Sequence, residues 1–203
     1  MSQSSRVEGE GRSAPHDGSS MKLRELLDAD WARLQRLSGS VNRPRPWTSC
    51  TSPRFAPVWL LRVAHALHRN GWPRLAKLFS LCNAVLFSLE VPARLKIGPG
   101  LVITHTYGTV LGASVIGSDV TIYQQVTLGA LQFDFDYDAS TRPVVEDEVT
   151  IAAGAKVIGA VRLGAGCIVG ANAVVLKDVP AACLAVGVPA RIIDKRSAAN
   201  AER

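Results

Sequence analysis

Aliphatic side chains recurring at a fixed six-residue interval constrain what this chain can fold into more than anything else in it. Val145, Ile151, Val157, Leu163, Val169 and Val175 keep that interval without a slip. A further small or medium apolar residue stands four positions after most of these, at Val149, Ala155, Val161, Cys167 and Ala173. A helix needs apolar spacing of about 3.6 and an amphipathic strand a period of about two, so neither sustains this pattern. A short fixed period marks a stacked solenoid, and hexapeptide repeats mark a parallel β-helix. Three six-residue faces close one triangular coil, and coils stack at the ~4.8 Å spacing of paired strands. Each face sends its aliphatic inward. Glycine follows it at Gly164 and Gly170, at or near a corner, where unusual backbone angles are tolerated.

The same period reads backwards through Leu128, Ile122, Ile116, Ile103 and Ile97, with a shift of register near Leu111-Gly112. Residues 130 to 143 interrupt it, and because it is regular on both sides the interruption is a loop extruded from one corner. About five coils of eighteen residues fit between Ile97 and Val186. Ahead of them, Leu23, Leu26, Leu27, Trp31, Leu34 and Leu37 share one helical face. A Pro- and Ser-rich loop spans 38–53, and a second helix runs from Val58 to Arg69, stopped by Asn70-Gly71. A third starts at Pro73 and reaches about Ser88. The expected organisation is a disordered tail at 1–20, a helical region at 21–90, a β-helix at 91–188 and a C-terminal tail at 189–203. The helices would cover the exposed first coil.

Composition narrows the function classes. The chain has 203 residues and a formal charge of +6, but its Arg and Lys are scattered without a basic run. That argues against a nucleic-acid module. Cys50, Cys82, Cys167 and Cys183 lack zinc or redox spacing, and free thiols point to a reducing compartment, the cytoplasm. No signal peptide is expected, since residues 1–20 are polar. The apolar run Leu75–Leu89 is broken by Lys77 and Asn83 and is too short to span a bilayer.

His105 is the one histidine on the coils. It follows the inward Ile103 by two positions, a phase that argues against a core role. Thr104, Thr106 and Gly108 beside it leave room for a ligand, and imidazole is the usual general base near neutral pH. The alternative is an ordinary exposed histidine. Glu90 lies fifteen residues earlier, close to one coil, where a carboxylate could orient the imidazole and stabilise its charged form; otherwise it is a solvated boundary charge. The loop alternates Phe133, Phe135 and Tyr137 with Asp134, Asp136 and Asp138. A calcium loop is rejected, because Ala139 and Val145 stand where glycine and glutamate are needed. The loop is either a flap beside a pocket or decoration. Zinc is disfavoured, since His16, His65 and His68 lie off the coils.

With these residues in place, the chain resembles the hexapeptide-repeat acyltransferases, and among them the serine O-acetyltransferase family, over roughly residues 27–193. The carrying segments are Ile97-Gly-Pro-Gly-Leu-Val-Ile-Thr-His105, Val120-Thr-Ile-Tyr-Gln-Gln-Val-Thr-Leu-Gly129, Ala153-Gly-Ala-Lys-Val-Ile-Gly159 and Val186-Gly-Val-Pro-Ala-Arg191. Arg62-Val-Ala-His65 resembles a helix motif of that family, and Leu27-Asp-Ala-Asp30 its segment with a substrate-facing aspartate. The resemblance implies a left-handed parallel β-helix and acetyl transfer from acetyl-CoA, without a metal. His105 would be the catalytic base with Glu90 in the place of the family's paired aspartate. Asp30, Thr104 and Arg142 would meet the acceptor. Ala152, Ala153, Gly154 and Ala171 would line a slot for the pantetheine arm, with Lys177, Arg191 and Lys195 toward the phosphates. A homotrimer or a dimer of trimers is implied, with sites in the grooves between β-helices.

Two positions depart from the family. Thr104 replaces an aspartate, and Thr141-Arg142-Pro143 replaces an Arg-His-Pro that holds the serine substrate. L-Serine, on the way to cysteine, is the first expected acceptor. A sugar or another hydroxyl compound is the second, suggested by the aromatic–acidic loop, and a non-catalytic assembly solenoid is the third.

Overall fold

The computed structural model describes residues 15–40, 43–132, 134 and 136–194. Short strands climb a three-sided prism. The first coil contains β1 (Leu89–Glu90), β2 (Lys96–Ile97) and β3 (Val102–Ile103); the second contains β4 (Thr109–Leu111), β5 (Val115–Ile116) and β6 (Thr121–Ile122). The third contains β7 (Thr127–Gly129), β8 (Val144–Val145) and β9 (Thr150–Ile151), and the fourth β10 (Lys156–Ile158), β11 (Arg162–Leu163) and β12 (Ile168–Val169). The fifth has β13 (Val174–Val175), a single parallel bridge at Val179, and β14 (Cys183–Val186). Every third strand shares a parallel face: β1-β4-β7-β10-β13, then β2-β5-β8-β11, then β3-β6-β9-β12-β14. A strand of two residues is long enough because each coil needs one inward aliphatic per face. Ile122, Leu128, Val145, Ile151, Leu163 and Val169 are all 0% exposed, and full burial of such a side chain is worth about 1.5–3 kcal/mol.

The first coil begins slightly earlier than the sequence expectation, and the C-terminal segment is not simply a tail. Leu89–Glu90 pairs with Thr109–Val110, so Glu90 belongs to the first strand rather than to the helical region. At the other end the chain turns back, and β15 (Arg191–Asp194) runs antiparallel to β14, capping one face. The expected disordered tail also needs revision over its described part. Residues 15–20 are laid along the edge between the second and third faces, where Ser118 Oγ donates to the His16 carbonyl, the His16 N–H donates to Asp147, and Asp17 pairs with Lys96 at 3.3 Å. A Cβ on Gly98 would lie 2.2 Å from the His16 carbonyl oxygen, so only glycine allows this approach. Residues 1–14 and 195–203 lie outside the described residues.

Three helices precede the prism. In α1 (Leu23–Leu37), Glu25 accepts from the Lys22 N–H at 2.9 Å and satisfies an otherwise orphaned donor of the first turn. Proline opens both α2 (Ala56–Arg69) and α3 (Pro73–Phe87), where its missing N–H costs nothing. Gly71 at φ 81° and Ser88 at φ 50° turn the chain out of them.

One buried ion pair clamps this cap to the first coil. Arg62 of α2 donates Nε and Nη2 to the two oxygens of Asp30 in α1, at 2.8 and 2.9 Å, and its remaining donors reach the Ile97 and Gly98 carbonyls at 2.6 Å. The Leu101 N–H donates to Asp30 at 2.8 Å. Burial pushes the Asp30 carboxyl up, opposed by the Arg62 charge and by the N–H bonds. Both side chains are essentially unexposed, so losing one partner strands the other. Asp30→Ala should therefore destabilise the protein by about 3–5 kcal/mol, read from urea unfolding followed by Trp31 and Trp59 fluorescence. Truncation to alanine at the exposed Leu176 should change it little.

Candidate active site

His105 owes its position to an irregularity in the period. Eight residues separate the inward Ile103 from Leu111, whereas six separate Ile122 from Leu128 at the same corner one coil on. The two extra residues lengthen the turn Thr104–Gly108 and leave His105 exposed on the edge between the third and first faces. This is the register shift seen in the sequence. Among the described residues its imidazole makes no hydrogen bond or ion pair, so both ring nitrogens are open to a ligand.

Two grooves flank the imidazole. One, of about 460 Å³, runs between α1 and the third face, past Arg33, Leu37, Arg54, Thr104, Thr121 and Tyr123. The other, of about 250 Å³, is walled by Pro53, Arg54, Leu86, Phe87 and Tyr107. Thr104 lines both, and its Oγ1 is buried with no hydrogen-bond partner among the described residues. Among the described residues no carboxylate lines either groove. A larger hollow of about 680 Å³ lies under the extruded loop and does not reach His105.

The small residues expected to admit a thin chain lie on the same edge as His105, in higher layers. Ala152, Ala153 and Gly154 turn from β9 to β10, and Ala171 from β12 to β13. Gly154 has φ +75°, and a Cβ there would stand 2.0 Å from Asn172 Oδ1, so the edge stays narrow. The Gln124 carbonyl accepts from Gly154 N–H and the Ala153 carbonyl from Asn172 N–H, both at 2.9 Å. These bonds tie successive corners into one rigid track beginning at His105. Arg191 is near its far end, opposite Val186. Lys177 follows β13 onto a different edge, and Lys195 lies outside the described residues.

Other expected site residues are lodged elsewhere. Asp30 was expected to face the acceptor, but it is 1% exposed and both its oxygens are held by the cap clamp. Glu90 points outward on β1. No hydrogen bond or ion pair joins it to His105, and it lines neither groove. Arg142 belongs to the edge between the first and second faces, inside the extruded loop. Its Nε and Nη2 donate to Asp134 at 3.2 and 3.0 Å, its Nη1 donates to the Gly112 carbonyl at 3.0 Å, and its guanidinium lies 3.7 Å from the Tyr137 ring centroid. Tyr137 in turn donates to the Ala113 carbonyl at 2.6 Å; burial pushes its hydroxyl up to about 12. Phe133 and Phe135 lie outside the described residues. Among the described residues no three His, Cys, Asp or Glu side chains come together to hold a metal ion, and no helix is long and apolar enough to cross a membrane.

The loop latch should respond to acid. Partial burial pushes the Asp134 carboxyl up, but hydrogen bonds from Arg142, Asp138 and Asp136 outweigh it and hold the group below the usual carboxylate range. A depressed folded value contributes order above the unfolded value of about 3.9 and loses it as pH falls through the folded one. Protection of the Asp136 and Asp138 amides from exchange, taken relative to the intrinsic rate at each pH, should therefore hold down to about pH 4 and fall below it, before the coils open.

Comparison with known proteins gives a consistent picture. Residues 142–177 match the model of the bacterial transferase hexapeptide, six repeats. A serine acetyltransferase of Helicobacter pylori strain J99 is 41% identical over 144 residues, which cover 70% of this chain and 82% of that protein. A solved serine acetyltransferase in complex with CoA superposes with a TM-score of 0.73 at 31% identity, covering 86% of this chain and 71% of the other. Soybean serine acetyltransferase complexed with serine gives 0.74 at 34% identity, with coverages of 87% and 71%.

Proposed function

The chain belongs to the serine acetyltransferase family, a left-handed β-helix family, and we propose that it moves the acetyl group of acetyl-CoA to the hydroxyl of L-serine with His105 as general base. The observation that carries this reading is the track that starts at His105. An exposed imidazole shares its edge with the Ala152–Gly154 and Ala171 corners, whose small side chains admit the pantetheine arm and bring a thioester to the base. His105 takes the serine hydroxyl proton as the oxygen attacks the thioester carbon. A coil N–H stabilises the tetrahedral oxyanion, and collapse expels CoA thiolate, which recovers the proton from the imidazolium. Glu90, one layer away on β1, acts on the imidazolium as a negative charge without a direct bond.

The working form is a homotrimer. His105 and the extruded loop occupy two different edges of one prism, so a single chain cannot bring them together, whereas neighbouring copies can. Leu75, Leu78, Leu81, Val85 and Leu86 of α3 are exposed, and Leu86 opens directly into a His105 groove, so apolar surface for a second copy adjoins the site. The cytoplasm, where acetyl-CoA and serine meet and thiols stay reduced, is the proposed compartment.

His105→Ala should lower turnover by about 10²–10⁴-fold while leaving thermal unfolding unchanged, and Glu90→Gln should cost less. Release of free CoA from acetyl-CoA in the presence of serine, homoserine and a sugar panel reads both the rate and the acceptor. Near-normal rates in the His105 variant, or release with sugars alone, would refute this reading.

A further inference from the structure

Among the described residues the His105 grooves are lined by two cations, Arg33 and Arg54, and by no carboxylate, and Arg54 is the uncommitted one. Arg33 has its Nη1 3.2 Å from Asp119 and donates Nη2 to Thr121 at 3.2 Å. Arg54 lines both grooves and makes no hydrogen bond or ion pair among the described residues. Its backbone is nevertheless fixed. Phe55, next in the chain, is 1% exposed, meets Trp31 edge-on at 5.2 Å, and donates its N–H to the Ser52 carbonyl at 2.9 Å. The surrounding sequence adds to the positive field, because residues 31–89 hold nine Arg and Lys and no Asp or Glu.

We infer that Arg54 is the cation that grips the acceptor's carboxylate, the part that resemblance assigned to Arg142. The inference rests on serine as acceptor and His105 as base. A planar guanidinium suits a carboxylate, which it can hold through two parallel bonds. All three nitrogens of Arg142 already donate, to Asp134 and to the Gly112 carbonyl, and one face of its guanidinium lies on Tyr137, so binding an acid there would compete with the latch. The pantetheine arm keeps the phosphates of CoA well away from the thioester, so an anion meeting a cation beside the base is the acceptor's own carboxylate. Arg54 thereby sets specificity for an amino acid over a neutral alcohol.

The test compares L-serine with L-serinamide, which keeps the ammonium and hydroxyl but lacks the negative charge, in the full-length protein. Arg54→Ala should raise the KM for serine by about ten- to a hundredfold, the value of one charge-assisted bond. It should shrink the serine-to-serinamide ratio of kcat/KM by the same factor and leave the KM for acetyl-CoA in place. Arg54→Lys should recover part of the ratio, and Arg142→Ala should not reduce it. An unchanged ratio in Arg54→Ala, or a loss confined to Arg142→Ala, overturns the assignment. A rise in the KM for acetyl-CoA instead makes Arg54 a phosphate ligand and also overturns it. Wild-type protein that releases no CoA with serine overturns the acceptor reading itself, which separates that failure from a failure of Arg54 alone.

Discussion

Parallel main-chain pairing between coils, held in phase by one inward aliphatic per face, is the constraint from which the rest of this molecule follows. In a prism of two-residue strands no strand could stand alone, since each has too few bonds and too little apolar surface. Stacking supplies both, and the period of six keeps every Ile, Leu and Val above its counterpart. Corners and the outward-facing strand positions, such as Glu90, Lys156 and Arg162, are left free of that constraint. The chain uses all three edges: one carries His105 and the track of small residues, one the extruded loop, and one the docked N-terminal segment.

The helical cap depends on that prism through charge rather than shape alone. Arg62 spends its donors on Asp30 and on two carbonyls of the first coil, and Asp30 takes a further bond from Leu101 N–H. A buried pair of this kind gains little over apolar packing but punishes misalignment heavily. It fixes where α1 lies against the third face, and hence the width of the groove between α1 and His105. Burial holds the nearby His65 imidazole below its usual range, and its Nδ1 donates to the Ala93 carbonyl at 3.1 Å, which tightens the same junction from α2.

The solenoid was legible because its period is long-lived and chemically simple. The site was only partly so. His105 stood out by phase, and the alanine and glycine corners by their size. Their sharing of one edge required counting corners through an eleven-residue insertion and a two-residue bulge. Glu90 and Asp30 show the limit: a spacing near one coil, or a motif, says nothing of which way a carboxylate points or what already holds it. Arg142 looked like a free cation because Asp134 and Tyr137 could not be seen to fold back on it. Arg54 gave almost no local signal, lying in a Pro- and Ser-rich loop, and only the absence of acids between Asp30 and Glu90 hinted at an anion-seeking surface. The segment at residues 15–20 escaped notice because two of its bonds use the His16 main chain, which carries no sequence signal, and the third is a single Asp17–Lys96 ion pair far apart in the chain.

A crystal structure with CoA bound tests the central claim most directly, namely that one edge of the prism is both slot and reaction site. The pantetheine arm should run along the corners at Ala171 and Ala152–Gly154 and deliver its sulfur to the His105 turn, leaving room for a serine hydroxyl about 3–3.5 Å from the ring nitrogen. A CoA seated on either of the other two edges, with its sulfur remote from His105, would contradict that claim and leave only the architecture standing.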